Sequence, residues 1–260
     1  MYELSVCADT VFLDLPFEER VKRISDAGFR VEFAGWKERD MEVFREYPGV
    51  RPGSMVATGA GSILYPDDVD ALVASVAESV ETAKYIGSKY LILLAGVLGP
   101  QGEIIHRSHP DDITRWITAY KALVRVAEIA EANDVTLCLE HLNTVIDHVG
   151  YAIGRVEQAV QLVREVSSPN LKIVLDIYHA QVEQGNIIDL IRQYIGDVGY
   201  VHVADAPGRH EPGTGEIHYR RVARALSEAG YEGIVGLEAF PLDDPYVAME
   251  RFRDHFTLHE

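Results

Sequence analysis

The sequence predicts a single closed (β/α)8 barrel over residues 1–260, and three observations carry that prediction. The chain has 260 residues, close to the size of one such barrel and short for two full domains. Short apolar runs alternate with amphipathic stretches from end to end, which is the pattern of a parallel sheet joined by crossover helices. No Gly-x-Gly-x-x-Gly follows the first run, which removes the usual support for an open, doubly wound sheet.

The first run is Glu3–Ala8, and helical spacing follows over Phe17–Ala27, with Phe17, Val21 and Ile24 on one face. The second run, Arg30–Ala34, and the third, Ser54–Ala57, precede a helix over Val69–Ile86 that turns Leu72, Val76, Val80 and Ala83 inward. Between them, Gly59-Ala60-Gly61-Ser62 reads as a flexible strand-to-helix loop rather than a phosphate cradle. The fourth run, Tyr90–Ala95, leads to a helix over Ile113–Ala132 with Trp116, Tyr120, Leu123 and Ala127 on its apolar face. Ser108 and Pro110-Asp111-Asp112 supply its start signals, and acidic residues in a first turn suit the helix dipole. The last four runs are Val135–Glu140, Lys172–Asp176, Gly199–Ala204 and Ile234–Glu238, and a helix over Tyr246–Phe256 follows. Val, Ile and Leu dominate the runs, as expected of strands buried on both faces. The count is eight strand–helix pairs.

Lys and Arg number 24 against 41 Asp and Glu, a formal charge of −17 that argues against nucleic-acid or anionic-membrane partners. No signal peptide precedes the first run, and no apolar stretch approaches the roughly 18 residues of a membrane span, so a cytoplasmic protein is expected. Cys7 and Cys138 sit singly in apolar runs and read as small core hydrophobes in a reducing compartment. A chain of this length needs no metal staple to fold, so a metal site here is expected to be functional.

Polar residues at the carboxyl ends of barrel strands point into the active site. The last four runs each deliver one metal-capable side chain there: Glu140, Asp176, His202 and Glu238. Three carboxylates and an imidazole at one end repel unless a cation neutralises them, and an O3N donor set suits Mn2+, Mg2+ or Co2+. Such a site chelates the adjacent oxygens of an α-hydroxy-carbonyl compound, acidifies the neighbouring C–H and supports an enediolate. Glu140 and Glu238 are the natural pair to remove a proton and return it to the adjacent carbon. His179, three residues past Asp176 at the start of the next loop, is placed to reach a substrate oxygen. The Pro- and Gly-rich segment after the seventh run can aim Arg209 and Glu216 inward, Arg209 being suited to a carboxylate. Glu32 reads as a binder of a substrate hydroxyl, and His141 as a substrate contact or additional base.

Two motifs carry a resemblance. Asn170-Leu-Lys-Ile-Val-Leu-Asp-Ile-Tyr-His179 and Val201-His-Val-Ala-Asp-Ala-Pro-Gly-Arg-His-Glu-Pro-Gly-Thr-Gly-Glu216 resemble the hydroxypyruvate isomerase family. That family belongs to the xylose isomerase-like barrels, which also hold the ketose 3-epimerases. The likeness is close from Val135 to Glu238 and general before that. It implies Glu140, Asp176, His202 and Glu238 as the metal set, Glu140 and Glu238 as the acid–base pair, and His179, Arg209 and Glu216 at the substrate. The seven residues from His202 to Arg209 resemble the isomerases rather than the epimerases, whereas a histidine at 202 resembles the epimerases.

The expected function is therefore metal-assisted isomerisation of a small 2-oxo acid such as hydroxypyruvate. A ketose 3-epimerase or a 3-oxo-glycoside (C-glycoside) cleaving enzyme would use the same site, and a non-catalytic sugar- or metal-sensing barrel is a different class of reading. The expected partner is a small molecule, either a 2-oxo acid or a keto sugar, and assembly into a homo-oligomer is left open.

Overall fold

The computed structural model describes residues 2–105 and 110–258, so Ser108 lies outside the described residues. Eight parallel strands close a barrel in which each pairs with the next and the last pairs with the first. In chain order the first half comprises β1 (Glu3–Cys7), α1 (Phe17–Asp26), β2 (Arg30–Phe33), α2 (Val43–Glu46), β3 (Pro52–Val56), α3 (Val69–Ile86), β4 (Tyr90–Leu93) and α4 (Asp112–Asn133). The second half comprises β5 (Thr136–Glu140), α5 (Val156–Val166), β6 (Leu171–Asp176), α6 (Ile177–Glu183), α7 (Ile187–Tyr194), β7 (Val198–Val203), α8 (Tyr219–Glu228), β8 (Ile234–Leu237) and α9 (Pro245–Phe256).

Strand parity divides the core in two. Side chains two apart share a face, so Cys138 and Glu140, Val174 and Asp176, and Tyr200 and His202 all point inward. Ile92, Cys138, Val174, Tyr200 and Ile234 pack together inside the barrel. The alternate residues, among them Leu91, Leu137, Leu139, Ile173, Val201 and Val235, join the helices in a separate outer core. Register then sets the polar layer at one height, since Asp176 pairs with His202 and His202 with Gly236. Cys7 and Cys138 are both buried free thiols.

Several local expectations are corrected. The crossover from β6 to β7 uses two helices rather than one, and α6 starts directly after β6, so His179 lies on a helix and not in a loop. Asp176 brings this about by capping α6, its Oδ1 accepting the His179 amide at 2.8 Å. Glu238 follows β8 rather than ending it, although its amide still bonds Val203 O at 3.1 Å. Tyr120 is 41% exposed, because α4 packs through the smaller Ala119, Ala122, Leu123, Val126, Ala127 and Ala130. The Gly59–Ser62 turn is packed rather than flexible. A Cβ on Gly61 would lie 2.4 Å from both Asp68 O and Leu72 N, and Ser62 Oγ donates to Ala95 O at 2.6 Å.

Candidate metal and proton-transfer site

Glu140, Asp176, His202 and Glu238 converge at the carboxyl end of the barrel, each offering one donor atom within 4.8 Å of the others. His202 Nδ1 lies 2.8 Å from Glu140 Oε1 and 3.9 Å from Glu238 Oε2. Burial and the neighbouring Glu140 charge push Asp176 up to about 7. Burial also raises Glu238, but Arg209 and His202 outweigh it and hold that carboxyl below its usual range. Burial works against a charged His202, yet Glu32 and Glu140 raise its affinity for a proton well above the ordinary imidazole value.

These residues fit a divalent cation on the chemistry of the set itself. Three carboxylates meet in a largely buried space, where burial and the Glu140 charge push Asp176 up, and a cation would relieve that repulsion. Oxygen donors with one imidazole and no thiolate match a hard or borderline ion.

His179 is fully buried. Its Nδ1 accepts the Asn143 amide at 3.3 Å and lies 2.7 Å from Asn143 Nδ2, which fixes the neutral tautomer with the proton on Nε2. That Nε2 has no hydrogen-bond partner among the described residues and sits 3.9 Å from Asp176 Oδ2. Burial and Arg209 keep the ring neutral. Asn143 is held in turn by Asp147, whose Oδ2 also accepts the Tyr178 hydroxyl at 2.9 Å.

Arg209 donates to Glu238 Oε2 at 2.6 Å and lies over the Tyr178 ring at 5.4 Å, while its Nε is buried without a partner among the described residues. Its φ of 55° is a left-handed conformation that a non-glycine residue rarely adopts, and the surrounding loop imposes it. Asp205 organises that loop, its carboxylate accepting the amides of Ala206, Gly213 and Ile217 at 2.8 to 3.0 Å. Gly215 is required there, because a Cβ would lie 2.1 Å from Ala206 O. Arg209, Tyr178, Asp147, His148, Gln181 and Glu216 line a cavity of about 860 Å³ over this end of the barrel. Its lining meets the cluster through Arg209, which bonds Glu238, whereas another cavity, of about 530 Å³ beside α4 and α5, includes neither Arg209 nor any of the four cluster residues.

Residues 51–255 match the family described as Xylose isomerase-like TIM barrel. The chain belongs to the xylose isomerase-like TIM barrel family. Within reach of it are the hydroxypyruvate isomerase of Escherichia coli, 28% identical over 93% of this chain and 94% of the relative, and the 2-oxo-tetronate isomerase of Pectobacterium atrosepticum, 27% identical over 89% of each. The crystal structure of D-psicose 3-epimerase with D-tagatose from Clostridium cellulolyticum H10 covers 98% of this chain and all of its own, with a TM-score of 0.82 and 19% identity.

In this xylose isomerase-like barrel the sequence-predicted residues divide into three groups. Glu140, Asp176, His202 and Glu238 form the cluster, with Arg209 and His179 in contact with it. Glu216 is exposed at the cavity rim, where Gln181 donates to it at 3.3 Å. Glu32 and His141 are both buried. Glu32 is 2% exposed inside the barrel, bonded to the Tyr200 hydroxyl and on the opposite side of the His202 ring from Glu140. His141 is fully buried, and burial depresses it to about 3, against a smaller opposing effect of the Gly154 backbone. Sequence reasoning missed Asn143, Asp147 and Asp205. Asp205 lies inside the Val201–Glu216 motif and Asn143 three residues past Glu140, but what each does depends on contacts formed only on folding, such as Asn143 with His179.

Proposed function

We propose that this protein is a divalent-metal-dependent isomerase that interconverts the carbonyl and adjacent hydroxyl of a small 2-oxo acid of the hydroxypyruvate type. The observation that carries this reading is the pair Glu140 and Glu238, which reach one cluster from strands well apart around the barrel. The E. coli and Pectobacterium relatives, named for isomerisation of hydroxypyruvate and 2-oxo-tetronate, support it.

Glu140, Asp176, His202 and Glu238 would hold the ion, which would polarise the substrate carbonyl and make the C–H of the adjacent hydroxymethyl carbon more acidic. Arg209 keeps Glu238 ionised, which suits it to take the proton from the hydroxymethyl carbon. Glu140 takes the proton of the substrate hydroxyl and delivers it to the neighbouring carbon, and the proton held by Glu238 passes to the former carbonyl oxygen, so both carboxylates are restored. His179 donates its Nε2 proton to a substrate oxygen, its neutrality secured by burial and its orientation by Asn143. Arg209 Nε, which has no partner among the described residues, is a donor for the substrate carboxylate. Glu216, at the rim, faces the outer end of a longer substrate.

The test is incubation with hydroxypyruvate and Mn2+ in deuterated water. Deuterium at the hydroxymethyl carbon together with tartronate semialdehyde supports the assignment, and absence of both overturns it. A second reading, ketose 3-epimerisation at the same cluster, is favoured by the size of the mouth, about 860 Å³ and ample for a six-carbon sugar. The likeness to D-psicose 3-epimerase, 31% identical over 57% of this chain, supports it too. Faster turnover of D-fructose or D-tagatose than of any 2-oxo acid decides for it.

A further inference from the structure

Glu32 is a buried carboxylate that the proposed chemistry does not use. It projects into the barrel from β2 and is 2% exposed. The barrel gives up side-chain volume to admit it. A Cβ on Gly236 would lie 2.2 Å from Glu32 Oε2, and one on Gly53 would lie 2.9 Å from the Tyr200 hydroxyl. Tyr200 donates that hydroxyl to Glu32 Oε2. The other oxygen, Oε1, has no hydrogen-bond partner among the described residues, which is costly for a buried charged group. It faces His202 Nε2 at 3.6 Å, a few tenths of an ångström outside hydrogen-bond range. The opposite ring nitrogen, Nδ1, is the one turned to Glu140 and Glu238.

We propose that Glu32 is the positioning residue of the metal site: it accepts the Nε2 proton of His202, so that Nδ1 presents its lone pair to the ion. A histidine that binds a metal through one nitrogen commonly donates the other to a carboxylate, which fixes the tautomer, holds the ring plane and makes the ligating nitrogen more basic. Tyr200 anchors Glu32 from below, so a line of three side chains from β7, β2 and β7 ends on the donor atom. Glu32 touches no substrate in this assignment and acts only through His202. The inference rests on the metal reading of the cluster.

Mn2+ binding, followed by the loss of the free-ion paramagnetic resonance signal, tests it without any substrate. The Glu32→Gln variant keeps an acceptor of the same shape but loses the charge, and its Mn2+ affinity is expected to fall about 10- to 100-fold. The Tyr200→Phe variant frees Glu32 and is expected to lose several-fold in the same direction. In the Mg2+-loaded protein the His202 Nε2 proton is expected as a downfield, slowly exchanging resonance that the Glu32→Gln variant loses. A merely structural role would leave that resonance in place wherever the variant still melts cooperatively. Unchanged Mn2+ affinity in a folded Glu32→Gln protein, with the resonance retained, overturns this inference alone. If that variant fails to fold, Tyr200→Phe decides, and wild-type affinity there overturns it equally. A wild-type protein that takes up no Mn2+ overturns the metal reading itself, and this inference with it.

Discussion

Glu238 is the most open member of its cluster, with 26% of its side chain exposed against 6% or less for Glu140, Asp176 and His202. It is also the member tied to Arg209. Openness and a fixed ionised state are what a proton acceptor needs, so Glu238→Gln is expected to lower kcat by about 10²- to 10⁴-fold with a near-normal melting temperature. Residual turnover within threefold of wild type would remove Glu238 from the proposed pair. His141 yields a prediction of a different kind. Its folded pKa of about 3 lies below the ordinary 6.5, so between these values the unfolded chain binds a proton that the folded chain refuses. Its contribution to stability is therefore complete above pH 6.5 and is lost as the pH falls, by about 2 kcal/mol at pH 5. His141→Leu should flatten the fall in urea midpoint between pH 7 and 5 relative to wild type. Equal slopes would mean that His141 finds a proton acceptor when folded.

At the scale of elements, the segment from Asp205 to Ile217 shows how a loop without regular structure becomes rigid. Three amides converge on one carboxylate, and Arg209 is carried at a φ that the loop enforces. Asp205→Ala strands those amides in a buried setting and should cost about 3 kcal/mol or more. The melting temperature is then expected to fall by roughly 6–12 °C. Activity should fall further than stability predicts, since Arg209 loses its aim, and a variant with wild-type kcat/KM would show that the loop does not need this anchor. The Pro and Gly pattern made the loop visible in the sequence, and the strand ends made four cluster residues visible. Glu32 and His141 were harder. Both follow the same rule of polar residues at strand ends, but the rule gives a strand's parity and not the depth at which a side chain stops. Glu32 falls below the mouth because Gly236 and Gly53 leave room there, and that room is formed by strands that meet only on folding. His179 was displaced from loop to helix for a local reason, the cap that Asp176 provides.

The whole molecule was legible because strand and helix periods alternate without interruption, and eight buried parallel strands in 260 residues close on themselves. The net charge of −17 was less informative, since Glu32, Glu140, Asp176 and Glu238, which meet inside the barrel, are a small part of the 41 acidic residues. What those acids do to the folded state is measurable. An ion bound to the native cluster but not to the unfolded chain stabilises by about 2.7 kcal/mol at a hundredfold excess over its Kd. Mn2+ is accordingly expected to raise the melting temperature by roughly 5–10 °C, reversibly with a chelator. A melting curve indifferent to Mn2+, Mg2+ and Co2+ alike would leave the cluster without its proposed occupant.

The four donors all come from β5 to β8. The first half of the barrel meets the cluster from beneath, through Glu32, and otherwise borders it with loops. The second half thus carries both the ion site and the groups assigned to the substrate, His179, Arg209 and Glu216, while the loop after β4 adds Pro100, Gln101 and Gly102 to the cavity above them. Exchanging residues 100–102 for the matching segment of a sugar epimerase should shift what is accepted while leaving ion affinity as it was. The same exchange made in the second half would dismantle the cluster.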